Sequence, residues 1–235
     1  ECTDSWTYRN LCTCAKQQFF DGKKAAFVEG THFGFWVRDV IVNRKIVWIK
    51  PDIYIIVDRF LAHWEHTYDS LLHFSGHGSA ELLENGMIRF TGDEMEAYIQ
   101  FLGAEEEGRI EETEQSSFYN EKHPNQTYIG RLQGTENCGK ITVINGGEKG
   151  KAAPVKVEQI RLYSQTAQDF LDPQKAEGLR ITQGEREYIL FLCHQEVMTP
   201  TDILSWENCL GHGKAVLFDR SEEKDEVITG EILAW

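Results

Sequence analysis

The sequence predicts an all-β protein, a stacked antiparallel β-sandwich with few short helices. Runs of β-branched and aromatic residues, separated by Gly, Pro and Asn turn signals, recur along all 235 residues. Helical periodicity is weak: its best window is residues 163–171, and a further helical turn is possible at 201–206. With many strands and few crossover helices, the sheets must be mostly antiparallel.

The strands can be assigned in order along the chain. The KPD sequence at 50–52 predicts a tight turn joining two strands as a hairpin, and NG at 85–86 and NGG at 145–147 are further turn signals. We expect one domain over residues 1–235, with its carboxyl-terminal strands within 150–235. The predicted strands are residues 25–28, 34–42, 44–50, 53–59, 66–75, 87–91, 97–102, 140–145, 155–162, 188–193, 215–218 and 227–235.

One strand bears on how many layers the protein has. The run IYIIV at 53–57 is apolar without alternation, which is typical of a strand buried on both faces. In an antiparallel protein this pattern predicts more than two stacked layers, or another domain against the outer sheet. We therefore expect a supersandwich-like arrangement.

The segment at 103–126, GAEEEGRIEETEQSSFYNEKHPNQ, shows no strand pattern. It is acidic and polar over about two dozen residues, and loops of that length are usually functional or mobile. We expect a long, solvated surface loop here.

Charge and composition exclude some classes of partner. The net charge of −14 argues against nucleic acid and anionic membranes, which need clustered Lys and Arg. The sequence lacks an apolar run of membrane-spanning length and a visible secretory signal at its start.

The chain contains no strong metal or nucleophile motif. Its six cysteines are scattered, and Cys12 and Cys14 form C-x-C instead of the paired C-x₂-C typical of zinc sites. Histidines 63, 66, 73 and 77 are expected to be hydrogen-bonded sheet and loop residues. Cys193 and His194 are neighbours in sequence, and neighbours on a strand point to opposite faces, so they could not share the hydrogen bond that a nucleophile pair needs. We predict no metal and no cofactor.

Three segments, taken together, resemble a known family. They are FVEGTHFGF (27–35), VNRKIVWIKPDIYIIVDRF (42–60) and EHTYDSLLHF (65–74), and SSFYNEKHPNQTYIGRL (116–132) is a looser match. Their order and spacing resemble the carboxyl-terminal β domain of heparinase II/III-like polysaccharide lyases, over about residues 25–145. Asn43 and Phe35 depart from the pattern, where relatives often have His and Tyr. The residues that carry the resemblance are His32, Gly34, Phe35, Arg44, Asp58, Arg59, His66, Tyr68, His73, Ser116 or Ser117, and Tyr119.

The resemblance implies a sandwich that packs, in whole enzymes, against an amino-terminal α/α toroid domain. Such lyases cleave uronic-acid-containing polysaccharides by β-elimination, which implies a periplasmic or extracellular parent protein. Much of their catalytic machinery precedes the matched part, so no catalytic residue and no metal ligand is carried over. This portion alone is expected to be inactive and to act as scaffold and cleft wall. Tyr119, His123 and Arg131, on or beside the acidic segment, are the candidates to contact sugar.

Two alternatives remain open. Six tryptophans and eight tyrosines could form the stacking platform of a stand-alone carbohydrate-binding module. However, Trp36, Trp48 and Trp64 lie in or beside predicted core strands, where packing is expected. A protein-interaction domain, with the acidic segment as its surface, is the other alternative.

Overall fold

The computed structural model describes residues 12–103, 107–134, 136–194, 202–221 and 228–235. These residues form four β-sheets, and their one helix is the 3-10 turn Trp36–Arg38. Every strand pairing with a defined register is antiparallel, except for a short parallel pair near the carboxyl terminus. The predicted all-β, antiparallel class is confirmed. Within these residues no helix is long and apolar enough to span a membrane.

The strands are numbered in chain order. The first sheet has the order β1 (Cys14–Asp21), β2 (Ala25–His32), β3 (Val40–Ile49), β4 (Ile53–Ala62), β11 (Cys138–Glu148), β8 (Met95–Gly103), β7 (Ile88–Gly92), β6 (Gly78–Leu82). The second has the order β5 (His66–His73), β10 (His123–Gly134), β9 (Glu107–Gln115). The third has the order β12 (Lys156–Ile160), β15 (Ala176–Gln183), β16 (Arg186–Cys193), β19 (Ala215–Asp219), β21 (Glu231–Ala234). The fourth has the order β14 (Asp169–Phe170), β13 (Tyr163–Ser164), β17 (Leu204–Trp206), β18 (Cys209–Gly211), β20 (Ile228–Thr229).

The chain divides into two compact units. Unit 1 comprises Glu1–Gln17, Val28–Val47 and Pro51–Ala153; unit 2 comprises Gln18–Phe27, Trp48–Lys50 and Pro154–Trp235. The single domain expected over residues 1–235 stays a prediction.

In unit 1 the core lies between the first two sheets. Tyr128 of β10 stacks on Phe101 of β8, with ring centroids 4.9 Å apart, and Phe74 stacks on Phe90 at 5.6 Å. Ile88 is completely buried in the same cluster. This face-to-face packing of apolar side chains is the usual core of a β-sandwich.

In unit 2 the core lies between the third and fourth sheets. Phe191 of β16 packs on Phe218 of β19 at 4.7 Å, and Leu204 and Cys209 complete the cluster from the facing sheet. Cys193 is buried here as a small apolar residue.

The structure corrects several predicted elements. Residues 34–39 form turns and the 3-10 helix, so only the later part of the predicted strand 34–42 is β. The NGG sequence at 145–147 continues strand β11 instead of turning. The predicted helical window at 163–171 is the hairpin of β13 and β14, because the backbone pairs across the sheet. Of the possible helical turn at 201–206, residue 201 lies outside the described residues, and the rest contains strand β17.

The acidic segment is not a long loop, contrary to the prediction. Its middle part, Glu107–Gln115, forms β9 and pairs along its length with β10, and its last residues, from His123, begin β10 itself. Residues 104–106 lie outside the described residues. Ile110 packs on the core of unit 1, while the carboxylates of Glu111 and Glu114 bind neighbouring basic side chains. β9 is an edge strand, and charged side chains on an edge strand oppose pairing with other chains. Its acidic composition obscured the strand pattern.

The prediction that β4 is buried on both faces is only partly correct. Ile53, Ile55 and Val57 are fully buried on one face, but on the other Tyr54 is 39% exposed. At the far end of that face, Phe60 is covered because it stacks on Tyr68 of β5 at 4.1 Å. The second sheet therefore covers one end of this face and leaves the Tyr54 end open.

Candidate functional site

Two turns meet at one end of unit 1. One follows β2 and contains the 3-10 helix Trp36–Arg38; the other joins β4 to β5. Asp39 ends the first turn in the left-handed conformation, with φ of 63°. Its carboxylate accepts a hydrogen bond from the backbone N–H of His63 and lies against the Nδ1 of the same residue, both at 2.7 Å. This single side chain fixes the two turns together.

Charge also stabilises the contact between Asp39 and His63. The Asp39 carboxylate raises the pKa of His63 above its ordinary value, and the hydrogen bonds from His63 lower the pKa of Asp39. Both shifts favour the charged forms of the two groups, so the link is strongest when the imidazole is protonated.

Large aromatic side chains stand exposed on these turns. Trp36 is 68% exposed and Trp64 is 70% exposed, and Phe35 and Val37 are also open to solvent. We call Phe35, Trp36, Val37 and Trp64 the aromatic surface. The expectation that Trp36 and Trp64 pack in the core is wrong, because both lie in turns and not in strands. Trp48, which is in a strand, is half-buried, with the Lys50 ammonium 5.1 Å from its ring centroid.

Two partly buried polar side chains of β5, His66 and Tyr68, lie near Asp39. Burial raises the pKa of Tyr68 to about 12. Within the described part of the chain, its hydroxyl and the Nε2 of His66 are buried without a hydrogen-bond partner. Such atoms are uncommon in folded proteins, and here the two rings lie only 6.1 Å apart.

Arg44 and Asp58 join neighbouring strands next to this region. The Nε and Nη2 of Arg44 donate to the two carboxylate oxygens of Asp58 at 2.6 and 2.9 Å. Asp58 is buried, while more than half of the Arg44 side chain is exposed. Both residues belong to the motif on which the family resemblance rests, and their contact links strands β3 and β4.

The three predicted sugar-contacting residues do not converge. Tyr119 is exposed in the turn between β9 and β10, and His123 begins β10 with its Nε2 3.3 Å from Glu121. Arg131 lies eight residues along the same strand from His123, about 26 Å away at ~3.3 Å per residue. Its guanidinium binds both oxygens of Asp69, at 2.7 and 2.8 Å, and lowers the pKa of that carboxyl. The assignment of these residues to sugar contact stays a prediction.

The contacts of His73, His77, Cys193 and His194 are with different residues. His73 bonds Thr127 through its Nδ1 at 2.9 Å, and His77 lies in the turn after β5. Cys193 contacts the Gly213 carbonyl at 3.4 Å, whereas the Nε2 of His194 binds Glu177 at 2.7 Å. Cys193 and His194 thus have different partners in these two contacts, and the expectation that they do not form a nucleophile pair stays a prediction.

A different group of metal-ligating residues does converge. Among the described residues, one cluster of three such side chains could hold a metal ion: Cys12, Cys14 and His32, whose ligand atoms lie within 4.8 Å of one another. The sequence showed the C-x-C pair, and it indicated His32 as part of the family resemblance but not as a metal ligand. Strand β1, which carries Cys14 beside the end of β2, was not predicted either.

Solved structures with the same fold exist, although no family model and no curated protein matches the chain. A heparan sulfate lyase, HepC from Pedobacter heparinus, aligns with a TM-score of 0.65 at 11% identity, covering 79% of this chain and 29% of the lyase. A heparinase III gene product aligns at 0.62 and 11% identity, covering 77% and 27%. Another heparinase III structure aligns at 0.61 and 9% identity, again covering 77% and 27%.

This chain has the fold of a heparinase-like β domain. The fold that the sequence resemblance implied is therefore confirmed. At these identities the comparison shows the fold alone, and the chain spans less than a third of the length of the lyases it matches.

Proposed function

We propose that this chain is the carboxyl-terminal β domain of a heparinase II/III-like polysaccharide lyase, and that it serves as scaffold and cleft wall without activity of its own. The observation that carries the proposal is its alignment with a heparinase-like β domain over more than three quarters of its residues. The substrate of the whole enzyme would be a uronic-acid-containing polysaccharide, cleaved by β-elimination in the periplasm or outside the cell.

The aromatic surface supports this proposal. Exposed apolar patches on soluble proteins commonly mark interaction sites. Here Trp36 and Trp64 stand on turns that the Asp39–His63 pair holds in place, so they present a pre-organised face. In the proposed enzyme this face would pack on the α/α toroid domain.

The test begins with the coding sequence upstream of Glu1. If several hundred helix-rich residues precede it, the longer chain and this chain are both expressed and assayed. The assay follows the ultraviolet absorbance of unsaturated uronates released from heparan sulfate, alginate and related polymers. We expect product from the longer chain and none from this chain. A longer chain without a helix-rich region, or without activity on any of these polymers, would overturn the proposal.

A second candidate function, that of a stand-alone carbohydrate-binding module, also has specific support. Exposed tryptophans stack on sugar rings, and the structure exposes two that the sequence had suggested were packed. A double variant, Trp36→Ala with Trp64→Ala, distinguishes the two functions, and Trp235→Ala is the control because Trp235 is equally exposed but lies in unit 2. If this chain is a binding module, the double variant weakens its glycan binding. If it is a lyase domain, the double variant instead lowers the thermal stability and activity of the longer chain.

A further inference from the structure

The amino-terminal edge of the first sheet brings two thiols and an imidazole together. β1 starts at Cys14 and lies beside β2, which ends at His32. The backbone N–H of Phe33 donates to the carbonyl of Thr13 at 2.9 Å, and this bond fixes the C-x-C segment against the end of β2. Cys12 and Cys14 are exposed, so their sulfur atoms are accessible to a ligand from solvent.

The spacing of these atoms fits a shared metal ion. The two Sγ atoms are 3.4 Å apart, and the three ligand atoms lie within 4.8 Å of one another. With Zn–S bonds of about 2.3 Å and Zn–N bonds of about 2.0 Å, tetrahedral geometry separates ligand atoms by roughly 3.5–3.8 Å. Small side-chain adjustments would convert the observed arrangement into that geometry.

The surroundings of His32 orient its ring. A Cβ on Gly34 would lie 2.5 Å from the ring carbon Cε1 of His32. Glycine at this position therefore avoids a steric clash with the imidazole. The N–H of Gly34 donates to His32 Nδ1 at 3.2 Å, and the ring centroid lies 5.4 Å from that of Phe35. The Gly34 contact therefore helps to orient the imidazole, and one nitrogen of this ring is the ligand atom that lies near the two sulfur atoms.

We infer that Cys12, Cys14 and His32 bind one thiophilic metal ion, Zn²⁺ in the first instance. Binding of Zn²⁺ forms two Zn–S bonds and one Zn–N bond, and the two thiols release two protons to solvent. Two sulfur ligands and an imidazole select Zn²⁺ or Cu⁺ over Mg²⁺ and Ca²⁺, which take oxygen ligands. With three protein ligands, a solvent molecule occupies the fourth position. This inference does not depend on the proposed lyase function.

The test uses Co²⁺ as a spectroscopic substitute for Zn²⁺ on the whole chain, kept reduced, with free thiols counted beforehand. We expect one equivalent of Co²⁺ to bind, with thiolate-to-cobalt charge transfer and the intense visible bands of tetrahedral coordination. Zn²⁺ should displace it, and Zn²⁺ should also raise the melting temperature. Replacing Zn²⁺ by Cu⁺ in the competition identifies which of the two ions binds more tightly.

Variants assign the ligands. Cys12→Ser and Cys14→Ser should each weaken metal binding at least about tenfold. Substituting a residue that only supports a ligand already costs about that much, so losing a ligand should cost no less. His32→Ala should also weaken it, because it removes the one nitrogen ligand of the cluster. The controls are Cys138→Ser, a half-buried thiol outside the cluster, and His77→Ala, an exposed imidazole; both should bind as the parent chain does.

Three results would overturn the inference. The reduced chain could fail to bind Co²⁺ and Zn²⁺ at micromolar concentrations. The controls could weaken binding as much as the cluster variants do. Finally, Cys12 and Cys14 could prove to be joined as a disulfide in the protein purified without reductant, with no metal uptake after reduction, which would make the pair a redox element instead.

Discussion

At the scale of the residue, the motif that carries the family resemblance acts as a set of structural links. Arg44 binds Asp58 across neighbouring strands, the Tyr68 ring stacks on Phe60, and His73 bonds Thr127 on the adjacent strand. The order and spacing of the motif therefore predicted a fold correctly while saying little about a catalytic site.

The Arg44–Asp58 pair gives a prediction with a matched control. Arg44→Met should lower the free energy of unfolding by about 1–3 kcal/mol, because it removes charge-assisted hydrogen bonds from a buried carboxylate. Arg131→Met breaks the same two-bond geometry with Asp69, but both of those side chains are substantially exposed. Exposed pairs contribute about 0–1 kcal/mol, so the control should change stability little. Urea denaturation measures both variants, and equal losses would contradict the prediction.

At the scale of the element, strands with apolar runs or clear alternation were predictable, and the strongly acidic strand β9 was not. Strand β4 was located from its run of β-branched residues, whereas β9 was hidden by carboxylates that lie on a charged sheet edge. The exposure of Trp36 and Trp64 could not be predicted, since their turns depend on a long-range contact between Asp39 and His63. The convergence of Cys12, Cys14 and His32 likewise depends on strand pairing, which sequence spacing does not reveal.

The packing of β9 against β10 gives a second prediction. Gly108 faces the ring of Tyr128, and a Cβ at this position would overlap the ring hydroxyl and the carbon atoms next to it. Tyr128 is buried and stacked on Phe101, so it has little room to move. Gly108→Ala should therefore lower the free energy of unfolding by about 1–3 kcal/mol, as overpacking does.

The matched control for this variant is Gly30→Ala in strand β2. Its added Cβ would meet nothing closer than the Ala15 carbonyl oxygen, at 3.5 Å, which is ordinary contact. In thermal denaturation the control should unfold close to the parent temperature, with Gly108→Ala clearly lower. If both variants unfold at the same temperature, a clash with Tyr128 does not explain the loss of stability in Gly108→Ala.

At the scale of the whole molecule, charge limits what this chain can bind by itself. It carries 38 acidic and 24 basic residues. Several of its arginines are already engaged with carboxylates, as Arg44 and Arg131 show. The net charge of −14 therefore opposes the binding of a strongly sulfated polysaccharide to the isolated chain.

This reasoning predicts that the isolated chain is not retained on immobilised heparin at low salt. Retention of polyanions depends on clustered Lys and Arg and weakens steeply with salt, because it releases bound counterions. The experiment compares elution from heparin-agarose and from unmodified agarose over a salt gradient, with the longer chain as a second sample. We expect this chain to elute in the flow-through of both columns. The longer chain should be retained on heparin-agarose and elute as the salt concentration rises. Salt-dependent retention of the isolated chain would mean that a local basic site outweighs its net charge of −14 and that it contacts sulfated sugar directly.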